Sequence, residues 1–137
     1  MQDESPKRRD KQNGEWAEMQ FVADAMRHGF EVFKPVGDST AADVILIHNG
    51  RTITIQVKAT FTDLNGKSKW NIGKGSEAKK RYTDEDVDFF ALFDGTIHGW
   101  RFVRPSQTNG QKTYRVDQKE TNNLENWHDL TKTTRRR

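Results

Sequence analysis

Apolar patterning is strong over residues 16–59 and 87–103 and weak elsewhere, and its period changes along the first stretch. Glu15, Met19, Val22 and Met26 fall at i, i+4, i+7 and i+11, the spacing of one helix face. Asn13 can cap such a helix, Glu15 and Glu18 lie in its first turns, and Gly29 supplies a left-handed stop. The row is expected to face the core, which places the carboxylate of Glu15 at the head of a buried stripe; Glu18 falls off it and is expected in solvent. Beyond Gly29 the period shortens to two. Phe30–Val36 reads as a strand ending at Pro35, and Gly37-Asp38-Ser39-Thr40 as a loop.

Asn49-Gly50, flanked by β-branched runs, is a strong signal for a two-residue hairpin turn between strands 43–48 and 52–60. His48 then pairs with Arg51, and counting back sets Asp43 opposite Gln56, with Lys58 on the same face. In the second strand Ile53, Ile55 and Val57 alternate with Thr52, Thr54, Gln56 and Lys58, so one face packs and the other carries polar groups. Four consecutive apolar residues, Val44–Ile47, predict that the first strand is central and covered on both sides. Phe89–Phe93, an Asp94-Gly95 turn and Thr96–Val103 predict a second hairpin closed by Pro105. Leu124, Trp127 and Leu130 suit a short terminal helix docked by its aromatic residue. The expected organisation is a flexible arm at 1–12, a core at 13–105 with a basic loop insertion at 61–86, and a C-terminal extension at 106–137 ending in an Arg-rich tail. The fold class is α/β (α+β), with helix layered on sheet.

Composition narrows the function. A chain of 137 residues that is 32% hydrophobic, with mean hydropathy −1.00, has material for one modest core. It has no cysteine, which excludes disulfides, thiolate metal sites and a cysteine nucleophile. No apolar run reaches the roughly 18–20 residues that span a bilayer, so a soluble cytoplasmic protein is expected. Net charge is +3 and the sequence pI about 9.2, with basic clusters at Lys7–Lys11, at Lys67, Lys69, Lys74, Lys79, Lys80 and Arg81, and at Arg135–Arg137. Clusters of this kind suit contacts to a phosphate backbone, and Trp70 among the lysines suits stacking on a base or anchoring a loop.

The charged positions of the first hairpin carry the chemistry. A hard divalent cation such as Mg²⁺ takes oxygen ligands and keeps several waters, so one or two carboxylates and a substrate phosphate can hold it. Asp43 and Glu15 are the candidate carboxylates. Gln56 and the main-chain carbonyl of Val57 complete the set, and Lys58 is placed to orient an attacking water or stabilise charge on phosphorus oxygens. Register alone brings Asp43, Gln56 and Lys58 together, whereas Glu15 depends on tertiary packing. His28, His48, His98 and His128 lack ligand spacing and are expected to be structural or superficial. Asp38 and Ser39, in the preceding loop, suit a capping role.

Glu15, Asp43-Val44-Ile45, Gln56-Val57-Lys58, Tyr82 and Asp88-Phe89-Phe90-Ala91, in this order, resemble the PD-(D/E)XK nuclease superfamily, in its resolvase-like and intron-homing branches. The resemblance covers residues 13–105. It implies a restriction-endonuclease-like core, a central mixed β-sheet flanked by helices. It also implies Mg²⁺-dependent hydrolysis of DNA phosphodiesters, with Mn²⁺ able to substitute, and roles for Glu15, Asp43, Gln56 and Lys58. Gln56 stands where the commoner motif has a carboxylate, which removes one negative ligand. The implied activity is an endonuclease on double-stranded or branched DNA, of homing or Holliday-junction-resolving type, assembled as a homodimer or higher symmetric homo-oligomer. The alternatives are a catalytically silent DNA-binding module on the same scaffold and a restriction-like component of a larger complex.

Overall fold

Positive φ at both turn residues, 51° at Asn49 and 74° at Gly50, closes the first hairpin in the way the pair predicts. The protein is described here from a computed structural model covering residues 6–37, 39–73 and 81–132. Among the described residues a helix, α1 (Pro6–Arg27), precedes strands β1 (Glu31–Phe33), β2 (Val44–His48), β3 (Arg51–Thr60), β4 (Lys67–Asn71), β5 (Phe89–Asp94), β6 (Gly99–Val103) and β7 (Thr113–Asp117). Short 3₁₀ turns occupy Pro105–Thr108 and Trp127–Thr131. Five strands form a mixed sheet in the order β1-β2-β3-β5-β6, and β4 and β7 form a separate antiparallel ribbon. Val44 pairs with Ile55 and His48 with Arg51, as counted from the turn, but the register ends at Val44: the expected pairing of Asp43 with Gln56 does not form, and the Asp43 N–H donates to the Ile55 carbonyl instead. Among the described residues no helix is long and apolar enough to cross a membrane.

The helix departs from expectation twice. It begins at Pro6, not Asn13, so residues 6–12 extend the helix and Asn13 lies inside it. Proline suits a first helical position because it has no N–H to leave unsatisfied, and the Lys, Arg and Gln that follow are good helix formers. Gly29, at φ 87°, does end the helix. Its buried face is also rotated from the expected one. Ala17, Phe21 and Ala25 are fully buried at i, i+4 and i+8, while Met19 and Met26 are 70% and 61% exposed. The alanines allow a close approach to the sheet and Phe21 fills the space between them, a pattern that ranking by hydrophobicity alone passes over. This rotation leaves Glu15 in solvent and half-buries Glu18.

α1 covers one sheet face, over Val44, Leu46, Ile53, Ile55, Phe89 and Phe93. The opposite face carries the β4–β7 ribbon in place of a helix: Trp70 and Ile72 pack on Phe90, Leu92 and Val103. Hence all six β5 residues are buried, which explains the unbroken apolar run there. β2, expected at the centre, is second from the edge, with Ile45 and Ile47 only half covered.

Two devices fix the sheet's interior. Parallel β3 and β5 are locked by Asp88 and Thr54: the Thr54 N–H donates to Asp88 Oδ2 at 2.9 Å, and the Asp88 N–H donates to Thr54 Oγ1 at 3.0 Å. The β5–β6 connection is a four-residue loop, because Asp94 pairs with Gly99, and so is longer than the expected two-residue turn. Gly95 within it is pressed against the Phe61 ring, where a Cβ would clash.

The β6 edge is closed by the chain that follows β7. The Phe102 N–H donates to the Asn123 carbonyl at 3.1 Å and the Glu125 N–H to the Trp100 carbonyl at 2.7 Å. Trp127 then stacks on Phe21 with centroids 5.5 Å apart, the expected aromatic anchor, though borne on a 3₁₀ turn. Arg101, fully buried, donates to the carbonyls of Glu120 at 2.6 Å and Gln118 at 3.3 Å and faces Asp94 at 3.6 Å.

Candidate functional site

Beyond the last paired residue of β2, the chain turns away and the side chain of Asp43 folds back toward β3. Its N–H donates to the Ile55 carbonyl at 2.8 Å, and its Oδ2 accepts the Val57 N–H at 2.8 Å. The carboxylate is thereby fixed at a strand end by backbone and not by a flexible partner. Gln56 is 9% exposed; its main chain lies in the β3–β5 ladder, and its side-chain amide makes no hydrogen bond among the described residues. Lys58, one pleat further along the same face, is half-buried.

The helical carboxylate in this cleft is Glu18, not Glu15. Glu18, Lys34, Thr40, Asp43, Gln56 and Tyr82 line a cleft of about 380 Å³, and Glu18 ion-pairs with Lys34 at 2.5 Å. Glu15 is exposed and lines none of the clefts described here. The signal that identifies Glu18 is its place beside the Ala17-Phe21-Ala25 row. Lys34 was likewise not singled out by sequence reasoning, and nothing in the strand pattern distinguishes it. A second cleft, about 560 Å³, continues past Lys58 along Thr60 and Thr62 to Asn71 and Gly73, with Asp10, Asn13 and Gly14 on its helical side.

Burial raises the pKa of the Asp43 carboxyl, and the negative charge of Glu18 raises it further; the Val57 N–H and the nearby Lys58 and Lys34 oppose the shift. Burial lowers the pKa of Lys58, with Asp43 partly holding it up. Two neighbouring carboxylates and an unpartnered amide form an oxygen-rich set that a hard divalent cation fits, since it would relieve the repulsion raising Asp43. Among the described residues no group of three or more His, Cys, Asp or Glu side chains is placed to hold a metal ion.

The remaining candidates separate. Trp70, proposed to touch DNA, is 1% exposed and its indole N–H donates to the Phe93 carbonyl at 2.9 Å, so it anchors the second core. Lys67 is exposed and Lys69 half-exposed. Arg81 is half-buried and donates to the Gly110 carbonyl at 2.7 Å. Lys74, Lys79, Lys80 and Asp38 lie outside the described residues, and Ser39 is exposed. His28 stacks on Trp127 at 4.3 Å, His98 meets the Phe93 ring edge-on at 5.3 Å, His48 lies 5.4 Å from the Phe30 ring and His128 is exposed.

A protein-family model described as PD-(D/E)XK endonuclease matches residues 8–129. No curated protein sequence matches the chain significantly. Among solved structures, the bacterial homing endonuclease I-Ssp6803I superposes with a TM-score of 0.71 at 18% identity, covering 87% of this chain and 89% of its own. The Holliday junction resolvase Hjc of Archaeoglobus fulgidus superposes with a TM-score of 0.58 at 16% identity, covering 90% of this chain and 99% of its own. Both likenesses show the restriction-endonuclease-like fold.

Proposed function

The chain belongs to the PD-(D/E)XK endonuclease family, and on that premise we propose that it hydrolyses phosphodiester bonds in double-stranded or branched DNA with the help of a divalent metal, Mg²⁺ or in its place Mn²⁺. The observation that carries this reading is the convergence of Glu18, Asp43 and Gln56 on one cleft, with Lys58 next along the same strand face. The metal would supply Lewis-acid activation of the scissile phosphate and a lowered water pKa.

Each residue has a stated task. Asp43, held by the Val57 N–H, and Glu18 are the anionic ligands; the helical role expected of Glu15 passes to Glu18. The Gln56 amide oxygen and the Val57 carbonyl add neutral donors. Lys58, its ammonium disfavoured by burial, orients the attacking water, takes up its proton and stabilises negative charge on the phosphate oxygens. Lys67, Lys69 and Arg81 contact DNA, joined by Lys74, Lys79 and Lys80. One site per chain and two strands per duplex favour a symmetric homodimer or higher homo-oligomer.

Gln56 favours a second reading, a silent DNA-binding module, because an amide adds no charge to hold the metal. The two part on cleavage of supercoiled plasmid and a labelled four-way junction in Mg²⁺, Mn²⁺ or EDTA. Metal-dependent cutting by the parent and none by Asp43→Ala supports the nuclease. Salt-sensitive binding indifferent to EDTA, without cutting of any substrate, supports the silent module.

A further inference from the structure

The outer face of the β4–β7 ribbon carries an arrangement that folding alone does not explain. Ser68 and Trp70 of β4, and Tyr114 and Val116 of β7, turn inward, so Lys67, Lys69, Asn71, Thr113, Arg115 and Asp117 share the solvent side. The register sets Lys69 directly opposite Arg115 and Asn71 opposite Thr113. Directly opposed residues have Cβ atoms about 4.5–5.5 Å apart, at which like charges repel and destabilise the pair. Neither cation has an ion-pair partner among the described residues. An anionic or acceptor-rich ligand would relieve the repulsion of a like-charged pair at the centre of a two-stranded ribbon.

Resting on the endonuclease reading, we propose that this face is the sequence-reading surface of the protein, lying in the DNA major groove beside the scissile phosphate. Three observations converge on it. A two-stranded ribbon is one of the few elements the major groove admits, and five-residue strands extend about 17 Å, the length of about five base-pair steps. The face carries the groups that read base edges: Arg115 and Lys69 match the paired acceptors of guanine, and the Asn71 amide matches the donor and acceptor of adenine. The ribbon is also joined to the chemistry, because the cleft holding Lys58 runs on to Asn71 and Gly73. A base pair read by Asn71 would therefore lie close to the phosphate at Lys58.

The test is binding selection from a randomised duplex library in EDTA, using the full chain, for the parent and for Arg115→Ala, Lys69→Ala and Asn71→Ala. Lys119→Ala, which removes an exposed cation beyond the end of β7, is the control for charge alone. The expected result is enrichment by the parent of a block of a few base pairs. Arg115→Ala should lose the preference at one or two of them, with affinity for the selected sequence falling by roughly 5- to 150-fold, the range for one bidentate base contact. Its affinity for random duplex should fall no further than that of Lys119→Ala. A uniform loss across sequences, equal to that of Lys119→Ala and with a shallower salt dependence, would mean phosphate contact alone and would overturn the proposal. Selection of no sequence by the parent would also overturn it. A parent that selects a sequence in EDTA but fails to cut it in either Mg²⁺ or Mn²⁺ would leave the sequence-reading face standing and remove the nuclease reading.

Discussion

Two of the antiparallel pairs, β2–β3 and β4–β7, use charge in opposite ways. In the first, Asp43 and Lys58 are each partly buried, each with its pKa displaced against the charged form. In the second, Lys69 and Arg115 face solvent opposite each other, where water and salt screen them. Charges of the first kind cost folding stability and, on the proposed function, serve chemistry, while those of the second cost the fold little and, on the proposal above, serve contact. Substitutions in the two pairs should therefore separate activity, stability and affinity.

The largest effect belongs to the first pair. Lys58→Ala should lower the rate of metal-dependent DNA cleavage by about 10²-fold or more, measured under single-turnover conditions, with the chain still folded. Retained cleavage would place Lys58 outside the chemistry. Within the ribbon, the inner face should behave as core. Trp70→Ala should cost about 3–5 kcal/mol in urea unfolding, because a fully buried indole and its hydrogen bond to Phe93 are lost.

A third prediction concerns pH. The Asp43 carboxyl has a folded pKa above its ordinary 3.8, so the folded chain retains a proton that the unfolded chain has released. Stability thus falls as pH rises from 3.8 through the folded value, and the deficit persists above it. Lys58 is the mirror case. Its folded pKa lies below the ordinary 10.5, so its deficit is present at lower pH and disappears as pH rises through that interval. Asp43 and Lys58 partly compensate each other, so the double variant Asp43→Asn/Lys58→Met should show the clearest gain in Tm at pH 7. For Asp43→Asn alone, any gain should vanish as pH falls below the ordinary carboxylate value. A Tm of the double variant below the parent's would contradict the assignment of stored electrostatic cost to this cleft.

The smallest effect belongs to the ribbon's outer face. Lys69→Ala and Arg115→Ala should each change stability by less than about 0.5 kcal/mol in thermal melts, with relief of like-charge repulsion favouring a slight gain. A large loss would mean that the pair is structural.

The same comparison explains what the sequence made legible. The β2–β3 register follows from a turn of two residues and a period of two, both local, so the placement of Asp43 beside the end of β3 that carries Gln56 and Lys58 could be counted off the chain, though not its exact partner. The ribbon joins segments on either side of β5 and β6, and its register arises from tertiary packing of Trp70 and Tyr114, a non-local fact that residues 61–86 and 106–121 do not encode in any local period. The helix falls between these cases. Its existence and its stop at Gly29 were readable, but its face was set by Ala17 and Ala25, whose small size matters only once a sheet lies against them. That rotation is why Glu18, and not the expected Glu15, lines the cleft beside Asp43.

This exchange gives the most direct test of the proposed site. Cleavage of supercoiled plasmid and a four-way junction in Mg²⁺ should be measured side by side for the parent, Glu18→Ala and Glu15→Ala. The account predicts that Glu18→Ala loses cutting by about 10²-fold or more while Glu15→Ala stays within a few-fold of the parent. Loss in Glu15→Ala with activity kept in Glu18→Ala would contradict it.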